Sequence, residues 1–184
     1  MRKFILILLL IISNVMFADN TLYILHTNNT NGALENCYCP DHPFGAIEKR
    51  SVFIHNFIRE HPNTIVVDAG DFLSVTNRPF LDSLIIDAYN SLPYDAVLAG
   101  DQELSRENFK LYAKKLNHPF LAANFLNYFD HGLESHIIIN RGDYKIGIVG
   151  IINPKVFRFY PKEIKERIKL ENPEESISAF INEY

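Results

Sequence analysis

The sequence predicts an α/β fold, a layered sandwich built on a mainly parallel central sheet. Two observations predict it. Short β-branched runs alternate with segments of helical period. The ends of three runs also carry dense polar turns, at His26 to Gly32, Asp68 to Asp71 and Gly100 to Glu103. In such sheets the site lies beyond the carboxyl ends of the strands, so these turns are the candidate functional loops.

Arg2 and Lys3 form a cationic start, Phe4 to Ile12 is unbroken apolar, and Ala18 is a small residue before Asp19. That order predicts a signal peptide at 1–18 and one domain at 19–184, exported to the periplasm or outside the cell. The apolar run falls short of the ~20 residues of a spanning helix, so no membrane segment is expected after cleavage.

Thr21 to His26 reads as the first strand and residues 27–45 as a long polar loop. From Ala46 to Glu60, Ile47, Ile54 and Ile58 recur at helical spacing beside Glu48, Lys49, Arg50 and Arg59, and Pro62 stops the helix. Thr64 to Asp68 is a buried strand. A helix follows from about Pro79 to Asn90, since proline suits a first turn. Asp95 to Ala99 is the third strand, and Ser105 is placed to cap a helix reaching about Leu116.

Pro119 to Asn124 reads as a fourth strand. His136 to Asn140 and Tyr144 to Val149 form a hairpin around Arg141-Gly142-Asp143. That tripeptide matches an adhesion motif, but turn chemistry accounts for it. Asn172 caps the last helix, with Pro173 in its first turn and Glu175 completing a capping box. Ile177, Phe180 and Ile181 form its apolar face.

Removing residues 1–18 takes away two of the 18 basic residues and none of the 22 acidic ones. The remaining chain is acidic by about six charges and lacks a basic stripe, which argues against a nucleic-acid polymer as partner. The two cysteines, Cys37 and Cys39, make no disulfide framework. With His42 they supply three ligands without a fourth, a poor zinc signal. His55, His61, His118, His131 and His136 show no ligand spacing and read as structural or surface residues. Phe157, Phe159 and Tyr160 read as core or subunit contact.

The three polar turns carry a family resemblance. His26-Thr-Asn-Asn-Thr-Asn-Gly32 resembles the His-Thr-Asn-Asp-x-His-Gly motif of the 5'-nucleotidase group of calcineurin-like metallophosphoesterases. Asp68-Ala-Gly-Asp71 is similar to that group's second motif, and Gly100-Asp-Gln-Glu103 stands where it has Gly-Asn-His-Glu. Tyr94 to Val97, Ala122 to Asn124 and the loop Cys37-Tyr-Cys-Pro40 with Gly45 to Arg50 add further likeness. The resemblance runs from Leu22 to Tyr184 and implies a metallophosphoesterase-like domain, incomplete because the group's later histidine segments find no match here.

The resemblance implies two metal ions bridged by one Asp, activating water for attack on a phosphoester. Asn29 and Asn31 stand at a ligand Asp and a ligand His. Asp71 keeps the bridging position, Asp101 replaces a ligand Asn, and Gln102 replaces the His that aids the reacting phosphate. Glutamine hydrogen-bonds but is never cationic. The metal expected is Mg, Mn, Ca or Zn, held weakly or absent. The function expected is an inactive or ligand-binding domain taking a phosphoester or nucleotide, with a partner subunit or self-association. The alternative is a weak metal-dependent phosphoester hydrolase, alone or as one half of a split enzyme.

Overall fold

The computed structural model describes residues 21–35 and 46–184. The expected signal peptide, Cys37, Cys39 and His42 lie outside the described residues. Four strands form a parallel sheet in the order β1-β2-β3-β4: β1 Tyr23–Thr27, β2 Thr64–Asp68, β3 Ala96–Leu98 and β4 Phe120–Leu121. Between them run α1 Ile47–Glu60, α2 Pro79–Tyr89, α3 Asp101–Ser105 and α4 Phe109–Lys115. The register pairs Thr27 with Asp68 and Asp68 with Val97, which brings the strand ends level. This is the mixed α/β architecture with a parallel sheet that the alternating pattern predicts.

Alternation decides what each strand buries. On β1, Leu25 packs on the core while Ile24 is exposed. On β2 both faces are covered, which suits the β-branched run Thr64-Ile-Val-Val. Val66 and Val97 meet Ile54, Ile85, Ile86 and Tyr89 from the helices. Burying each such side chain is worth about 1.5–3 kcal/mol.

The hairpin, β5 His136–Arg141 with β6 Tyr144–Val149, leaves the edge of β4. Ala122 N–H donates to Glu134 O at 2.8 Å, and Ala123 N–H to Gly150 O at 2.6 Å. At its far end Arg141 pairs with Asp95 and donates to Thr64 O at 3.0 Å. Arg141 is thereby committed to the fold, as the turn reading implies. Ile148 and Ile151 face Val67, Leu98 and Leu121 across an apolar cavity of about 250 Å3.

Three sequence expectations change. The helix capped by Ser105 is two helices, with Ser105 the last residue of α3 and Asn108 preceding α4. Arg106 adopts an extended backbone and is buried, its guanidinium donating to Ser74 O, and this tertiary bond breaks the helix. The last two helices are α5 Lys162–Arg167, which no pattern announced, and α6 Pro173–Glu183. Asn172 does cap α6, but through Glu174 N–H at 2.9 Å rather than as a box with Glu175. Phe180 of α6 packs on His136, while Ile177 and Ile181 remain exposed. No helix among the described residues is long and apolar enough to cross a membrane.

Candidate functional site

The loops after β1, β2 and β3 meet beyond the sheet. Backbone bonds zip the first two: Asn29 N–H to Gly70 O at 2.9 Å, Asn31 N–H to Asp71 O at 3.0 Å and Gly32 N–H to Phe72 O at 2.9 Å. The path requires left-handed backbone at Asn29, Asn31 and Asp71, with φ of 48°, 52° and 58°. Asparagine and aspartate tolerate that region better than other residues with a Cβ. The second and third loops touch backbone to backbone. A Cβ on Gly100 would clash with Asp71 Oδ1, and one on Gly70 would lie 2.8 Å from Gly100 Cα.

Glu103 holds this junction. Its side chain is buried and accepts from Asp71 N–H and Leu73 N–H at 2.9 Å and from Gly100 N–H at 3.0 Å. Burial pushes its pKa up to about 8, against the lowering pull of the N–H donors. Asp71 Oδ1 accepts from Gln102 N–H at 3.0 Å, and burial, together with the nearby Asp101, raises its pKa to about 6.

The structure brings the five singled-out residues into one cluster. Gln102 Nε2 donates to Asn31 Oδ1 at 2.6 Å, and Asn31 Nδ2 donates to Asn29 O at 2.9 Å. Gln102 Oε1 is buried without a hydrogen-bond partner. Asp101 Oδ2 accepts from Tyr160 O–H at 2.6 Å, and burial, with Asp101 beside it, raises the Tyr160 pKa.

Tyr160 is a site residue that its apolar neighbourhood concealed. Of that group only Phe157 is core, and Phe159 is exposed. Asp82 is a second omission: fully buried in α2, it accepts from Ser74 N–H at 3.0 Å and Ser74 O–H at 2.5 Å. An acid among Phe80, Leu81, Leu84 and Ile85 was its one sequence signal.

The five histidines read as structural or surface residues lie away from the cluster. His61 packs on Tyr23 and Phe57, His131 on Phe109 and Phe125, and His136 on Phe180 and Tyr184. His118 bonds Tyr89 O at 2.9 Å, and His55 is exposed on α1.

The donor set does not fit a pair of transition-metal ions. Among the described residues it offers the carboxylates of Asp71 and Asp101 with no histidine bonded into the cluster, and the Asn31 oxygen is engaged by Gln102. Oxygen-only sets of this kind suit hard cations over zinc.

No family model matches the chain. It is 27% identical over 171 residues to a snake venom 5'-nucleotidase of Naja atra, an alignment covering 79% of this chain and 32% of that protein. The fold is that of a 5'-nucleotidase precursor from Thermus thermophilus, with a TM-score of 0.70, 20% identity and coverage of 88% and 34%. A calcineurin-like phosphoesterase from Bacillus subtilis aligns at a TM-score of 0.67, 20% identity and coverage of 88% and 57%. The chain spans 32% and 26% of the length of two curated relatives it matches.

Proposed function

We propose, from its likeness in sequence and fold to the N-terminal part of the 5'-nucleotidase group of calcineurin-like metallophosphoesterases, that this chain binds a small ligand without hydrolysing it. The domain, residues 19–184, is exported after removal of residues 1–18. Its ligand is a phosphoester or nucleotide held at the strand ends.

The observation that carries the reading is the bond between Gln102 Nε2 and Asn31 Oδ1 at 2.6 Å. Two positions that the resemblance assigns to histidines hold amides, and those amides bind each other. Hydrolysis by this family's chemistry needs anionic or imidazole ligands that hold a nucleophilic water. Here Asp71 Oδ1 accepts from Gln102 N–H and Asp101 Oδ2 from Tyr160 O–H, bonds with which a metal ion would have to compete.

A second reading, weak hydrolysis with a single hard cation, draws support from the closeness of Asp71 and Asp101, which adds to burial in raising the Asp71 pKa. Hydrolysis of a generic phosphomonoester in excess Mg2+ or Mn2+ separates the two. The first reading expects no turnover above the blank. Turnover abolished by Asp71→Ala overturns it in favour of the second.

A further inference from the structure

Beside the amide cluster, Thr27, Asn28, Asn29, Thr30, Ala33 and Arg50 line an open cleft of about 420 Å3. The sequence places Arg50 on the polar face of α1, yet it is half-buried. Its guanidinium lies 5.0 Å from the centroid of the Tyr89 ring, and Nη1 donates to the Tyr89 oxygen at 3.3 Å. Its Nε is buried with no hydrogen-bond partner. Among the described residues the ion pairs are Arg141–Asp95 and Lys162–Glu166, so Arg50 has no carboxylate within salt-bridge reach.

Asp68 is the acid of this network, and it is otherwise engaged. It accepts from Thr27 O–H at 2.5 Å, Gly70 N–H at 2.9 Å and Tyr89 O–H at 3.1 Å. The Tyr89 hydroxyl therefore stands between Asp68 and Arg50. Thr30 is held by the same hydroxyl at 2.6 Å. Among the described residues, that leaves the remaining N–H groups of Arg50 and the exposed side-chain amides of Asn28 and Asn29 as side-chain donors available in the cleft. Asp68 and Arg50 feel each other's charge, but the guanidinium has no direct anionic contact, and its planar fork matches an oxyanion edge.

We propose that this cleft binds a small oxyanion, phosphate or carboxylate, anchored by the Arg50 guanidinium and flanked by the amides of Asn28 and Asn29. The inference deepens the ligand-binding reading and rests on it. It places the charged group of the ligand on the Arg50 side of the first loop, away from Asp101 and Tyr160.

The test is calorimetric titration of the whole chain with inorganic phosphate and, separately, acetate, at constant ionic strength held by chloride. Saturable binding of one of them is expected. Arg50→Gln weakens it on the order of tenfold to a hundredfold, the range for hydrogen bonds to a charged group. Arg50→Lys falls between, and Asn28→Ala weakens it by a smaller factor. Because Arg50 also touches Tyr89, melting curves check each variant's fold, and the exposed Asn28 keeps the test open if Arg50→Gln fails to fold. Phosphate bound over acetate assigns a phosphoester-type ligand, and the reverse assigns a carboxylate. No saturable binding of either anion overturns the proposal, as does binding undiminished in the folded variants. Asp71-dependent turnover alongside Arg50-dependent binding would sink the non-catalytic reading and leave this one standing.

Discussion

The side-chain amide of Gln102, on α3, donates to the side-chain oxygen of Asn31, 71 residues earlier in the chain, at 2.6 Å. This bond ties the first strand-end loop to the third. Gln102→Ala and Asn31→Ala each remove it along with other terms, and the coupling energy between the two changes isolates the bond at about 0.5–1.5 kcal/mol, the net worth of a typical hydrogen bond. The double variant loses no more than the larger single loss, apart from terms outside this bond. Urea unfolding of the four proteins checks the coupling.

Glu103→Gln tests the junction beneath that bond. Glutamine keeps one acceptor oxygen and turns an N–H2 toward backbone donors, so it costs about 1–3 kcal/mol at mildly acidic pH. The cost shrinks as pH rises, and the sign follows from the raised pKa. Burial lifts Glu103 from 4.5 to about 8 and also raises Asp68. The folded state then binds more protons than the unfolded state. The stability these groups contribute is full below their unfolded pKa values and is lost as pH rises through the folded ones. Unfolding free energy therefore falls between about pH 4 and pH 8, and Glu103→Gln flattens the upper part of that decline. Chemical denaturation at pH 5, 6.5 and 8 measures it.

Gly100→Ala is the most disruptive small change expected at the site. Its Cβ would clash with Asp71 Oδ1 and lie 2.6 Å from Asp71 N, both held by Glu103 and Gln102. Overpacking of this kind costs about 1–3 kcal/mol or more. Gly132→Ala is the control, because its φ of +75° is strained but its Cβ finds Ala113 Cβ only at 3.7 Å. The left-handed strain there is about 1–2 kcal/mol. Melting temperatures of the two variants rank the effects.

The layered fold was legible because burial and periodicity are local properties. Thr64 to Asp68 reads as a strand and is one with those boundaries, and Pro79 opens its helix as placed. The break at Arg106 was illegible, since only a contact with Ser74, 32 residues away, turns that side chain inward. The polar run Lys162–Arg167 carries too little apolar signal to announce a helix. At the site, the turns at the strand ends marked where the loops meet, but not their partners. Tyr160 reaches Asp101 from 59 residues away, and Arg50, set among charged neighbours, gave no sign of burial.

Backbone bonds join the first two loops, and Glu103, Asp71 and the Gln102–Asn31 bond tie in the third, with no metal ion required in the proposed reading. Its most direct test is the melting temperature of the whole chain in chelator against 1 mM Mn2+ or Zn2+. A metal with a Kd one hundredth of its free concentration would add about 2.7 kcal/mol. For a chain of this size that raises the melting temperature by roughly 5–10 °C. No rise is expected. A rise of that size that disappears in Asp71→Ala would contradict it.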